Sequence, residues 1–168
     1  MQDKLVSIIM NCHNGEKFLS QAINSVLKQS YKNWELIFWD NCSTDNSSII
    51  LKSFNDSRIK YFKSTVFSSL GEARQAAFEK CLGEYIAFLD TDDFWYDSKL
   101  EKQIKYFGSD VGIVTCNTLF FNDKIKKPLY QKKIEEGYVF KNLLQNYNLS
   151  LETLIFKKKT AIESNIFF

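Results

Sequence analysis

Asp90, Asp92 and Asp93 crowd the point where the apolar run YIAFL (85–89) gives way to polar sequence. Two carboxylates one residue apart at a strand tip can meet a hard divalent cation and still leave coordination positions open for phosphate oxygens. An all-oxygen set of this kind suits Mg2+ or Mn2+. Asp92 and Asp90 are therefore the candidate metal ligands. The competing reading is a plain turn ahead of the next helix, because aspartates are also common turn formers. An Asp-x-Asp pair by itself decides little between the two, and its context has to.

Two other apolar runs end in the same way. LVSIIM (5–10) leads into Asn11, His13 and Asn14, and WELIFW (34–39) leads into Asp40 and Asn41. In an open α/β sheet, ligands bind in the crevice beyond the carboxyl ends of the strands, so these groups are expected to converge on one ligand. Asp40 could accept a hydrogen bond from a nucleobase or ribose, or equally cap the following helix. His13 could stack on a base or be an ordinary loop histidine. Arg74, shortly after Gly71, could reach a phosphate or base, or pair with Glu72 or Glu79 at the surface.

The elements that must position these residues follow from hydrophobic periodicity. After the first strand, Phe18, Leu19, Ala22, Ile23, Val26 and Leu27 recur with helical spacing. WELIFW precedes a helix expected to open at Ser43 or Thr44. RIKYF (58–62) precedes one expected from about Leu70 to Leu82, with Gly83 ending it. YIAFL is the most apolar strand, and Ser98 with Glu101 suggests a capping box for a helix carrying Leu100, Ile104 and Phe107. Repeated β-α units imply an α/β fold with a doubly wound, mostly parallel sheet flanked by helices. After VGIVTCNTLFF (111–121) come a lysine-rich turn with Pro128, a helix carrying Val139, Phe140, Leu143, Leu144 and Tyr147, and the strand TLIF (153–156).

Bulk properties narrow the class. The chain has 168 residues, 45% of them hydrophobic, enough for one domain with a real core. No run approaches the roughly 18 to 20 apolar residues of a membrane span, and the start lacks the pattern of a signal peptide, so a cytoplasmic protein is expected. Four scattered cysteines without a C-x-x-C pair argue for reduced thiols, and a lone histidine excludes a His-rich metal site. A net charge of +2 gives no reason to expect nucleic acid as a partner. The lysines at 126–127, 132–133 and 157–159 read first as solvated faces and second as a peripheral docking surface for an anionic membrane.

The segments VSIIMNCHNGEKFLSQAINSVLKQSYKNWELIFWDNCSTDNS, GEARQAAFEKCLGEYIAFLDTDDFW and SKLEKQ resemble family 2 of the glycosyltransferases, in order and at ordinary spacing, over most of residues 4–107. The resemblance implies a GT-A fold, which is Rossmann-like, and transfer of a sugar from a nucleotide diphosphate, commonly UDP, to an acceptor hydroxyl with inversion. The acceptor would be a glycan, a lipid-linked group or a protein. By the same resemblance Asp40 would contact the base, Asp90 the ribose or metal, and Asp92 the metal bridging the diphosphate. Asn11, His13, Asn14, Arg74 and Thr91 complete the candidate donor-binding set.

Two departures accompany the match. Asn11-Cys12-His13-Asn14 stands where many members have Pro-x-Tyr-Asn, which leaves base stacking to His13. The family's general base is an acidic residue beyond the strand matching TLIF. The expectation is therefore a single GT-A-type domain over 1–168 whose catalytic base lies beyond Phe168, with Glu152 a poor stand-in. A partner subunit or fragment that binds the nucleotide sugar without turning it over is the alternative. A haloacid-dehalogenase-type phosphatase is disfavoured because that group carries its Asp-x-Asp on the first strand.

Overall fold

The computed structural model describes residues 4–122, 124–130, 136–138 and 149–165. Strand β1 (Val6–Cys12) pairs in parallel with β2 (Trp34–Asp40) on one side and with β4 (Tyr85–Phe88) on the other, and β3 (Ile59–Lys63) pairs in parallel with β2. Strands β1, β2 and β4 are nearly continuous buried runs because helices cover both faces of the sheet, whereas the edge strand β3 carries Lys60 and Lys63. Side chains alternate between the faces. Val6, Ile8 and Met10 pack into a core with Leu19, Leu51 and Leu100, while Ile9 packs on the other side with Ala77, Phe78 and Phe156.

Helices α1 (Glu16–Leu27), α2 (Ser47–Lys52) and α4 (Lys99–Ile104) contribute to the first core. Helix α3 (Leu70–Glu79) and the final helix α5 (Lys158–Glu163) contribute to the second. Short strands β5 (Ile113–Val114) and β8 (Ile155–Lys157) complete a six-stranded sheet of order β3-β2-β1-β4-β8-β5, with β8 antiparallel to both neighbours. Strands β6 (Leu119–Phe121) and β7 (Lys126–Pro128) form a separate antiparallel ribbon. The expected mostly parallel, doubly wound sheet is present. All four cysteines are free thiols.

Local expectations fail in informative ways. Helix α2 begins at Ser47, not at Ser43 or Thr44, because residues 43–45 bond backward to Asp40 and Asn14 instead of starting a helix. Helix α3 ends at Glu79, and Gly83 is not its cap. A side chain on Gly83 would sit 2.7 Å from Leu5 O and Ser7 N, so glycine is needed for close approach to β1. Ser98 makes no capping bond, since Glu101 instead accepts from the Ser30 hydroxyl at 2.5 Å. The capping box lies at Ser69 and Glu72, where each side chain accepts from the other's backbone N–H. The run 111–121 is split between two sheets, and TLIF is a strand only from Ile155. The helix expected around Val139 to Tyr147 lies outside the described residues, and so does Phe168.

Candidate functional site

Parallel pairing brings the carboxyl ends of β1, β2 and β4 to one edge of the sheet. Cys12 is in register with Asp40, and Ile9 with Phe88, just ahead of the aspartates. The loops after β1 and β2 are stitched together by Asn14, which adopts φ 55°. Its Oδ1 accepts from the N–H groups of Thr44 at 2.8 Å and Asp45 at 3.3 Å. Glu16 N–H donates to Asp45, and Asn46 N–H donates back to Glu16. The Asn14 carbonyl is thus spent on the scaffold rather than held out to a ligand.

Asp40 is in the same position. It is fully buried; Oδ1 accepts from Ser43 N–H at 2.7 Å and Oδ2 from the Tyr61 hydroxyl at 2.8 Å. Burial and this bond push the Tyr61 phenol up to about 12. Direct base contact by Asp40, expected from the sequence, would require displacing Tyr61. The other role weighed, capping the following helix, is not seen either, since α2 starts only at Ser47; Asp40 instead orders the turn after β2 through Ser43 N–H.

His13 faces solvent. Its Nδ1–H donates to Asn41 O at 2.8 Å, which fixes the ring, and the exposed Phe67 ring meets it edge-on with centroids 4.7 Å apart. Two aromatic rings therefore stand at the mouth of the crevice, where a flat ligand can stack. Asn11 is half-buried at the end of β1, and its Nδ2 is buried without a hydrogen-bond partner among the described residues.

Asp90 lies at the centre. The Arg74 guanidinium reaches to 3.6 Å from Asp90 Oδ1, so Arg74 points inward instead of pairing with Glu72 or Glu79. Burial, reinforced by the negative charge of Glu152, pushes the Asp90 carboxyl up to about 6, and Arg74 only partly offsets this. Asp93 is raised for the same reasons, burial first and then Glu152 and Asp92. Asp92 is exposed and makes no side-chain hydrogen bond among the described residues. Thr91 packs on the loop after β1, since a side chain on Gly15 would lie 2.9 Å from its Oγ1.

Glu152 is the site residue that sequence reasoning undervalued. It sits in a 3-10 turn (Leu151–Thr153) just before β8, near enough to Asp90 for its negative charge to raise that carboxyl's pKa. Only the pairing of β8 with β4 brings the two together, and no local motif signals that. The position of the general base, expected beyond Phe168, falls outside the described residues, and none of the described carboxylates is assigned that role. Among the described residues no three Asp, Glu, His or Cys side chains are grouped to hold a metal ion. The Asp90 and Asp92 pair fits a cation that takes its remaining ligands from phosphate. Burial is the larger cause of the raised Asp90 pKa, but the neighbouring negative charge of Glu152 and Asp93 that adds to it would also favour a cation.

The model for Glycosyl transferase family 2 matches residues 7–165. The chain belongs to that family. It is 47% identical over 104 residues to the UDP-Glc:alpha-D-GlcNAc-diphosphoundecaprenol beta-1,3-glucosyltransferase WfgD of Escherichia coli, a match covering 62% of this chain and 41% of that protein. The fold is similar to residues 1–349 of S. aureus TarS, solved in complex with UDP-GlcNAc, with a TM-score of 0.83 and 22% identity, covering 97% of this chain and 48% of the other. A mannosyltransferase from Pyrobaculum calidifontis, solved with GDP-Man and Mn2+, gives a TM-score of 0.73 at 18% identity, covering 97% of this chain and 47% of the other. The GT-A, Rossmann-like architecture expected of a family 2 chain is thus present. This family 2 chain spans less than half the length of each of these relatives.

Proposed function

We propose that this chain is the donor-binding half of a glycosyltransferase that moves a sugar from a nucleotide-diphosphate sugar, most simply a UDP-sugar, to an acceptor hydroxyl. The observation that carries this is the convergence of Arg74, Asp90 and Asp92 at the strand ends, beside the exposed His13 and Phe67 rings. Rings suit the base, Arg74 suits a phosphate, and the carboxylates suit a cation between diphosphate oxygens. The reading is supported by the UDP-Glc in the name of WfgD and the UDP-GlcNAc bound to TarS.

In the proposed reaction the acceptor oxygen bonds to the anomeric carbon from the face opposite the leaving group, and the sugar–diphosphate bond breaks. The configuration inverts, and the acceptor's proton passes to a carboxylate base. Asp90 and Asp92 would hold Mg2+ or Mn2+, whose chemistry is to offset negative charge growing on the departing diphosphate. Arg74 supplies a fixed positive charge on the same side. Glu152, engaged with Asp90, serves as a positioning residue rather than the base.

The acceptor is proposed to be a lipid-linked glycan at the cytoplasmic face of a membrane, with the chain attached peripherally. Lys124, Lys126 and Lys127 stand beside exposed Phe120, Phe121 and Ile125 on the β6–β7 ribbon, a surface suited to anionic lipid. No described helix is long and apolar enough to cross a membrane. Titration with UDP and Mn2+ tests the donor assignment: binding that Asp92→Ala weakens supports it, and absent binding or indifference to Asp92→Ala rejects it. A transfer assay with labelled UDP-sugar then separates turnover from binding alone.

A further inference from the structure

Of the lysine groups in the sequence, one is engaged by the fold itself. Lys157 Nζ donates to Gly108 O at 2.6 Å and Ser109 O at 3.0 Å, Lys158 Nζ donates to Cys81 O at 2.6 Å, and Lys159 lies 3.6 Å from Glu163. Two of these ammonium groups satisfy carbonyls just after α4 and α3, as lysines near helix ends do, and the third is paired within α5. Lys132 and Lys133 lie outside the described residues. The ribbon is different. Lys124, Lys126 and Lys127 are exposed, and none of their ammonium groups has a hydrogen bond or ion pair among the described residues.

Strand pairing sorts the ribbon's side chains between two faces. Leu119 stands opposite Pro128, Phe120 opposite Lys127, and Phe121 opposite Lys126. Leu119, Phe121 and Lys126 line a cavity of about 440 Å³ that Asp93 also lines, and the Phe121 ring meets Phe94 edge-on with centroids 5.3 Å apart. Successive residues of a strand point to opposite sides, so Phe120 and Lys127 face away from that cavity, and Ile125 and Leu129 join them by the same alternation. Phe120, Ile125 and Leu129 are 49%, 46% and 46% exposed. The outer face of the ribbon therefore presents three apolar side chains beside Lys127, with Lys124 at the turn.

We infer that the two faces of the ribbon divide its work: the outer face seats the chain on an anionic bilayer, with Phe120, Ile125 and Leu129 in the interface and Lys124 and Lys127 among the headgroups, while the inner face walls the crevice. This placement rests on the peripheral attachment proposed above and gives it an orientation. Residues 115–130 carry three lysines against one aspartate, a charge that anionic headgroups complement and that a second copy of this surface would repel. A nucleic-acid backbone would match the lysines and leave the apolar side chains in water. A bilayer takes both, because lysine stems lie along apolar surface while their ammonium groups stay among water and phosphate. Docking through the outer face holds the cavity lined by Asp93 about 10 Å, one sheet thickness, from the lipid surface.

Co-sedimentation with vesicles tests the surface. The chain is expected to bind vesicles of mixed phosphatidylglycerol and phosphatidylcholine, to ignore phosphatidylcholine alone, and to bind less well as salt is added. Lys124→Gln with Lys127→Gln is expected to lower the affinity about thirtyfold, the equivalent of about 1 kcal/mol per lysine. Phe120→Ser with Ile125→Ser is expected to lower it at least about tenfold. Lys159→Gln, away from the ribbon, should change it by less than about twofold. Orientation is read with lipids brominated in their acyl chains: Phe120→Trp is expected to be quenched beyond the wild-type level, and Leu82→Trp, exposed ahead of β4 at the opposite edge of the sheet, is not. Binding indifferent to headgroup charge, unchanged binding by the ribbon variants, or stronger quenching of Leu82→Trp would overturn the placement. If vesicles bind and UDP with Mn2+ does not, the donor reading fails and the surface stands; if UDP binds and vesicles do not, the surface alone fails.

Discussion

Arg74 and Asp90 form a pair in which the cation does not fully tame the acid: at 3.6 Å the guanidinium leaves the carboxyl with a pKa of about 6. A carboxyl raised in the fold takes up its proton there before it does in the unfolded chain. Folding stability therefore falls as pH rises between about 4 and 6, and stays lower above that window. Asp90→Asn removes the penalty. After discounting for solvent screening of this half-exposed group, the variant should gain about 1 kcal/mol at pH 7 and lose that part of the pH slope. Urea unfolding at pH 4.5 and 7 measures both, and a less stable variant at pH 7 would contradict the electrostatic account.

Gly15 and Thr91 are in tight contact across the two loops that frame the crevice. Gly15→Ala places a methyl 2.9 Å from Thr91 Oγ1 and 3.1 Å from Cys12 Sγ. Overpacking of this kind should cost about 1–3 kcal/mol and displace the segment carrying Asp90 and Asp92, weakening UDP and Mn2+ binding. Adding Thr91→Ala should recover part of the stability. Simple additivity in that double-mutant cycle would show that the two residues do not communicate.

Tyr61→Phe leaves Asp40 Oδ2 buried without its donor. The expected loss is about 1.5–3 kcal/mol, because the acceptor is a charged group. Denaturant midpoints read it directly, with an unchanged slope showing that only stability moved. A neutral effect would mean that Asp40 does not depend on Tyr61 and is free for a ligand.

Lys99→Met should stabilise the protein, because it removes a buried ammonium. A lysine whose folded pKa is depressed to about 8 binds its proton less well in the fold. Stability should thus rise with pH from about 8 to 10.5 in the wild type and not in the variant. At pH 7 the variant should be more stable by about 2 kcal/mol, since the buried charge is gone. Melting profiles at pH 7, 9 and 10 would expose the opposite order.

That the polar strand ends share one edge of the sheet was legible, because parallel strands deliver their carboxyl ends to one side and three apolar runs end in polar residues. What stayed hidden was which of those groups are spent on the scaffold. Asn14 and Asp40 look like ligand residues by type and position, and in the fold their oxygens also accept hydrogen bonds from Thr44, Asp45, Ser43 and Tyr61. The start of α4 at Ser98 was read correctly, but not its capping bonds, because Glu101 found a distant partner in Ser30. Glu152 and Lys99 gave no local signal, since burial and long-range charge, not motif, define them.

The insertion of β8 between β4 and β5 also sets an order of events during synthesis. Strands β1 to β4 leave the ribosome as consecutive units that can pair with one another at once, but the free side of β4 waits for residues 155–157. Until then an apolar strand that runs into Asp90 presents an unpaired edge, a template for association with other nascent chains. A polypeptide released after β6 would carry His13, Arg74, Asp90 and Asp92 and still be prone to clump, because the segment that shields their sheet and delivers Glu152 is made only afterwards.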